Sequence, residues 1–324
     1  MAASSPPGAP IHVNDPTRGR FGNARRIEIC RPGLERGLDY VAHHTSGGLD
    51  FAVDRLEASG AGPADRRRLE GLGTELAGRF AELDAVVRAW HSGDLIRLVL
   101  HGTERLIVCN SVTADQLLIS SAPVEPGLMH RQDRAAAELV EALRRLIDLQ
   151  SQNPGGFQSR PPDEPAGPDE SPGEPWESCP PTDPQVEGEH SAARTALRAA
   201  VHPADLHFAA YLSGGAWRCA ADVLDHAALA AFYSREFTAA DRRGWYEEFG
   251  RRLCLGPMSL LGQLSLDLED QIGELWRLVL DVEQGAFYGY RRGIDDFVLG
   301  ATLAQNRVQK ADEKVERLLA AVAE

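Results

Sequence analysis

The sequence predicts a mainly α-helical protein built as two domains on a disordered tether, and three observations predict it. Ten of the twenty prolines fall between Pro154 and Pro184, interleaved with Gly, Ser and acids, so neither a helix nor a sheet ladder can run through that stretch. On both sides of it, apolar residues recur at three- and four-residue spacing. Beyond the tether, no alternating strand pattern is visible, and the last apolar series keeps a heptad rhythm to the C-terminus.

These observations divide the chain into a disordered N-terminal tail (1–24), an α+β domain (25–150), a disordered Pro- and acid-rich linker (151–190) and an all-helical domain (191–324). Two globules of this size are each long enough to bury a core without disulfides or metal. In the first, Arg26 to Cys30 (RIEIC) alternates and reads as a short strand closed by Arg31-Pro32-Gly33. Helical readings follow for Leu34 to His44 and Leu49 to Glu57, broken at Ser46-Gly47-Gly48. A clearer helix starts at Pro63, which suits a first turn, and carries Leu69, Leu72, Leu76, Phe80, Leu83, Val87 and Trp90 on one face until Ser92-Gly93. From Leu95 the runs LIRLVLH, ERLIVCN and QLLISS are strand-length and apolar, predicting a small β-hairpin or sheet. An amphipathic helix from about Arg131 to Leu149 closes the domain.

The second domain holds 14 of the 21 aromatic residues. Helical readings cover Ala192 to Val201, Ala204 to Leu212, Ala220 to Phe237 and Ala239 to Leu253, the last capped by Thr238. Phe287, Tyr290, Ile294, Phe297, Ala301, Ala304, Val308, Ala311, Val315, Leu318 and Val322 then step by three and four like an a/d seam. A continuous helix over those residues would be about 54 Å long, against a domain diameter of roughly 35 to 40 Å. It therefore protrudes as a long heptad-patterned helix, or bends near Gly300 or Asn306 into a helical hairpin. Phe287, Tyr290, Ile294, Phe297, Val308, Ala311, Val315, Leu318 and Val322 are the expected interface, toward a protein partner or a second copy of the chain.

The formal charge of −14 is concentrated in the tether, where residues 160–190 carry nine acids against Arg160 alone. The globules are nearly neutral, and their arginines are matched by acids, so no nucleic-acid partner is expected. Lys310 and Lys314 are the only lysines against 32 arginines, as a GC-rich genome produces. The five cysteines are far apart and form no CxxC pair, which indicates reduced thiols in a cytoplasmic protein. No apolar stretch reaches the length of a membrane span.

Phosphate-loop, HExxH, EF-hand and GxSxG patterns are absent, so no cofactor, metal or catalytic residue is assigned. Gly71-Leu72-Gly73 with Gly78 lies in a helical pattern rather than after a strand. His202, Asp205, His207, Asp222, Asp225 and His226 are metal-ligand types, but His202 and His207 are five apart and do not converge on a helix face. Cys109 and His101 lack an orienting acid and read as buried strand residues. Arg36 and His43 are seven apart and on a helix would share a face, the Arg neutralising a phosphate and the His moving a proton. This spacing resembles the Arg-x4-6-His pattern of the small helical RNases called HEPN, which implies metal-independent RNA cleavage. The sequence thus points first to a non-enzymatic interaction or adaptor protein acting through its C-terminal helices, with a HEPN-like RNase using Arg36 and His43 as the alternative.

Overall fold

Two tight hairpins organise the structure. In one, Ser46 and Gly47 take φ of 50° and 81°; in the other, Gly214 and Gly215 take 57° and 71°. Two successive positive φ angles give a two-residue turn whose twist matches paired antiparallel strands, so each Ser-Gly-Gly run closes a hairpin rather than breaking a helix. The computed structural model describes residues 11–17, 22–59, 62–125, 129–151, 184–188, 191–254, 259–293 and 295–322. The chain divides into one unit of Met1–Ala85, Ile96–Pro162 and Leu268–Glu274, and another of Val86–Leu95, Asp163–Asp267 and Leu275–Glu324.

In the first unit the order is β1 (His12–Asn14), α1 (Asn23–Glu35), β2 (Tyr40–Thr45), β3 (Gly48–Asp54), α2 (Pro63–Ala89), β4 (Leu95–Gly102), β5 (Arg105–Thr113), β6 (Gln116–Pro123) and α3 (Met129–Ser151). The strands lie in the order β1-β3-β2-β6-β5-β4, every neighbour antiparallel. In the second unit the order is β7 (Gln185–Gly188), α4 (Ser191–Ala200), β8 (Phe208–Ser213), β9 (Ala216–Asp222), α5 (Ala239–Cys254), α6 (Leu260–Ile272), β10 (Leu275–Val282), β11 (Gly285–Arg292), β12 (Asp296–Thr302) and α7 (Val308–Ala321). Here the strands run β10-β11-β12-β8-β9-β7, again antiparallel throughout.

Set side by side, the two orders are one order. Each unit is a βαββαβββα module, the second with α6 added. The correspondence reaches single residues. His12 pairs with Asp54 at the start of β1, and Gln185 pairs with Asp222 at the start of β7. A register shift lies between His43 and His44 in β2, and the counterpart shift lies between Tyr211 and Leu212 in β8.

Helices cover both faces of each sheet. In the second unit a Cβ on Gly300 would lie 2.3 Å from Val315 of α7, and one on Gly250 of α5 would lie 2.3 Å from Leu299. Leu299 and Gly300 are neighbours on β12 and point to opposite faces, so α7 packs on one side and α5 on the other. In the first unit, Leu118 joins the core made with Leu139, Val140 and Leu143 of α3, whereas its neighbour Ile119 faces Gly73 of α2. Gly33 of α1 permits close packing on α3, since a Cβ there would lie 2.4 Å from Leu139.

This architecture overturns the mainly helical reading and the all-helical second half, because five of the twelve strands among the described residues follow the tether. No helix runs from Phe287 to Val322; the upper part of the heptad series is the β11–β12 hairpin, and α7 alone is helical. Arg26 to Cys30 belongs to α1, whose inward residues Ile27, Cys30 and Leu34 are spaced three and four apart. The helical readings over Leu34–His44, Leu49–Glu57, Ala204–Leu212 and the start of Ala220–Phe237 fail to the strands β2, β3, β8 and β9. Both faces of those strands are covered, so the alternation that marks a half-exposed strand is missing. β1 and β7 fall within the stretches read as tail and linker; the rest of those two stretches lies mostly outside the described residues. Among the described residues no helix is long and apolar enough to cross a membrane.

Candidate functional site

The polar residues buried in each module fall into a repeated set and a set found once. The repeated set begins at the end of the second hairpin strand. Asp54 accepts from Nε and Nη2 of Arg66 at 2.7 and 2.9 Å and from the Leu56 amide. Asp222 accepts from Nε and Nη2 of Arg243 at 2.7 and 2.8 Å and from the Leu224 amide. These side-on forks are the strong geometry for an arginine and a carboxylate. Both arginines come from the same run, Ala-Asp-Arg-Arg, at 64–67 and 240–243. The aspartate of that run caps the helix start in each case, Asp65 accepting from Gly62 and Asp241 from Thr238.

A second pair joins the first strand after the central helix to the last helix. Arg97 of β4 donates to Asp133 of α3 at 2.6 Å. Arg277 of β10 donates to Asp312 of α7, and Tyr290 donates to the other oxygen of Asp312 at 2.8 Å while accepting from Nε of Arg277 at 2.9 Å. These pairs tie sheet to helix and define the frame of the module.

Of the residues singled out by sequence, the structure separates most. Arg36 follows the end of α1 and forms an ion pair with Glu138. His43 lies on β2 with no exposure, its Nδ1 2.9 Å from Asp50, its ring stacked on Phe51. The Thr45 hydroxyl donates to the same oxygen of Asp50 at 2.5 Å. Arg36 and His43 therefore share no helix face, and the geometry behind the HEPN resemblance is absent. Phe287 and Tyr290 lie on β11 and Phe297 on β12, while Ala311, Val315, Leu318 and Val322 turn inward from α7; all are buried, and Val308 is half-buried. Ile294 lies outside the described residues. The lower half of the heptad series is thus the face by which α7 packs on its own sheet.

The thiols are enclosed. Burial pushes Cys30 and Cys109 up to about 12 and Cys219 up to about 11, and raises Cys254 as well, so none is a ready thiolate. Among the described residues, no three His, Cys, Asp or Glu side chains gather as a metal group. His207 is locked neutral: its Nδ1 accepts from the Leu303 amide at 2.8 Å and its Nε2 donates to the Pro203 carbonyl at 3.0 Å. Burial lowers its pKa to about 4. Beside it, Asp205 receives both lysines of the chain, Lys314 directly and Lys310 at 3.4 Å. Burial works against the Asp205 charge, and the Lys314 ammonium overcomes it, leaving the carboxyl below its usual range.

The neutral imidazole gives a pH test. Below about pH 6.5 the unfolded chain protonates His207 and the folded chain does not, so stability is full above that value and falls toward pH 4. Burial also lowers the pKa of His44, which acts in the same direction. Denaturant unfolding is expected to lose about 3 kcal/mol between about pH 7 and about pH 4, and His207→Asn should flatten most of that slope.

One buried polar cluster has no counterpart in the first module. In the Ala-Asp-Arg-Arg run of α2 the first arginine makes the fork and Arg67 is exposed. In α5 the second makes the fork, and the first, Arg242, turns inward to 1% exposure. Its Nη1 donates to the Ser92 hydroxyl at 3.4 Å, the Tyr246 phenol lies within electrostatic reach of it, and the guanidinium carbon lies 4.7 Å from the centre of the Phe237 ring. Nε and Nη2 are buried and have no partner. The Tyr233 hydroxyl nearby is also buried and unpartnered. Burial raises its pKa and Arg242 pulls the other way, so it is a protonated donor. Nothing in the sequence marks Arg242 apart from Arg243; the difference arises from which of the two faces Asp222.

The fold and its polar frame thus define a duplicated βαββαβββα protein. Among solved structures it is similar to a gliding protein MglB from Thermus thermophilus, at 19% identity and a TM-score of 0.34, over 39% of this chain and 90% of that one. Similar too are the Myxococcus xanthus MglB, at 15% identity and 0.31 over 39% and 92%, and a Roadblock/LC7 domain from Streptomyces avermitilis, at 14% and 0.30 over 37% and 95%. No family model and no curated protein matches the chain.

Proposed function

We propose that this chain is a non-enzymatic protein-interaction or adaptor protein in which two copies of one module present different surfaces. The observation that carries the reading is that the frame repeats pair for pair, Asp54–Arg66 with Asp222–Arg243 and Arg97–Asp133 with Arg277–Asp312, while the polar residues outside it do not. His43 corresponds to Tyr211 in that comparison, the fork is made by the first arginine of the run in one module and by the second in the other, and the Asp205–lysine clamp belongs to the second module. A duplication that retains what folds the module and changes the rest gives one chain two non-equivalent modules, each free to meet its own partner. Two linked faces raise the local concentration of one partner beside the other without any new contact.

The test is the solution mass of the full chain, alone across a wide concentration range and after native purification with mild cross-linking. A defined self-assembly, or a co-purifying protein in fixed ratio, is expected. A chain that stays monomeric and uncross-linked, or that cleaves RNA and loses the cleavage in Arg36→Ala, would overturn the reading.

A further inference from the structure

Four arginines are buried among the described residues, and three of them meet a carboxylate: Arg55 with Glu35, Arg66 with Asp54 and Arg277 with Asp312. Arg242, the most buried, meets none. An unpaired buried charge is strongly destabilising, so a chain that retains one needs a reason beyond stability. The unfilled edge is informative. Nε and Nη2 are the two nitrogens with which Arg66 and Arg243 grip Asp54 and Asp222 in this same molecule. They are also the two left without a partner on Arg242. The open edge therefore has the shape of a carboxylate.

The surroundings narrow the ligand further. The Tyr233 hydroxyl supplies a third unused donor, and the wall is aromatic, with Phe237 over the guanidinium and Trp245 4.5 Å from Phe237. His91, stacked on Trp245, takes the left-handed φ of 51° that ends α2, with the Ser92 amide donating back to the Val87 carbonyl at 3.2 Å, and this turn sets the Ser92 hydroxyl against Arg242. We infer that Arg242 anchors a site for a small monocarboxylate with an apolar or aromatic body, closed in this structure by Phe237 and the His91–Ser92 turn. Such a site is independent of the proposed adaptor role, since it can serve a binding protein or any other.

Benzoate and acetate are the probes, with chloride and phosphate as contrasts, and the readout is thermal unfolding of the full chain. Benzoate is expected to raise Tm saturably, by at least about 2 °C at millimolar concentration, and acetate by less. Arg242→Met should unfold no earlier than the parent without ligand, because it removes an unpaired buried charge, and should show no benzoate shift. Tyr233→Phe should keep the fold and weaken the apparent affinity several-fold. Absence of a saturable shift in the parent, an equal shift in Arg242→Met, or an equal shift from chloride or phosphate would each overturn the site. If neither Arg242→Met nor Arg242→Lys folds, the guanidinium is a structural requirement and the inference fails as well.

Discussion

Asp312→Ala is expected to destabilise the second unit by about 3–5 kcal/mol, the range for removing one partner of a buried ion pair. Its removal takes the carboxylate from the Arg277 guanidinium, 4% exposed, and leaves the Tyr290 hydroxyl without its acceptor. The counterpart change, Asp133→Ala, should cost only about 1 kcal/mol, because the side chains of Arg97 and Asp133 are 19% and 20% exposed and water can replace the lost partner. Amide hydrogen exchange reads both units, so exchange from β10 and β11 should quicken strongly in Asp312→Ala and exchange from β4 and β5 only slightly in Asp133→Ala. Replacing all three members of the triad together, by Arg277→Met, Asp312→Leu and Tyr290→Phe, should recover much of the loss, because both charges of the buried pair and the phenol between them are then removed together. Equal effects of the two alanine changes would show that the duplicated pairs are not buried as described.

Gly285→Ala carries the second large effect. Its φ of 99° is unfavourable for a residue with a side chain, and a Cβ there would lie 1.8 Å from the Thr302 carbonyl oxygen, a backbone atom that cannot turn away. Strained backbone of this kind costs about 1–2 kcal/mol, and overpacking adds about 1–3 kcal/mol. Gly215→Ala is the control: φ is 71° but no atom lies within 4 Å of the added carbon, so only the backbone cost of about 1–2 kcal/mol applies. Thermal unfolding of both variants should rank them clearly, Gly285→Ala unfolding at the lower temperature. A reversed order would place β11 and β12 out of the register in which Ala286 faces Thr302.

What the sequence made legible follows from exposure. The helix starting at Pro63 and the one around Leu139 and Leu143 each have one wet face, so their 3.6 periodicity is plain. The strands β4, β5 and β6 were visible because β-branched residues concentrate there. The strands of the second unit were hidden for a physical reason: β8 and β12 lie under helices on both faces, so Phe208 to Leu212 are all buried and no alternation remains. Their Ala and Gly content, needed where Val315 and Leu253 approach Gly300 and Gly289, further weakened the strand signal. Phe287, Tyr290 and Phe297 then fell into heptad steps with α7 by the accident of hairpin length.

A signal that would have corrected this was present. Leu95-Ile-Arg-Leu-Val-Leu100 and Leu275-Trp-Arg-Leu-Val-Leu280 differ at one position, and each module also carries Ser-Gly-Gly and Ala-Asp-Arg-Arg. Read together as an internal repeat, these place strands β10, β8 and β9 on the pattern of β4, β2 and β3. The inward turn of Arg242 had no such signal, because it depends on a one-residue difference in how α2 and α5 present their arginine pairs to Asp54 and Asp222.

That the second half of the chain repeats the sheet of the first is the central claim, and backbone NMR on the full chain tests it most directly. Cross-strand contacts are expected between Val279 and Tyr288 and between Tyr288 and Gly300, matched in the first unit by Val99 with Val108 and Val108 with Ser120. Unbroken helical contacts between residues three apart from Phe287 through Ala301 would contradict it.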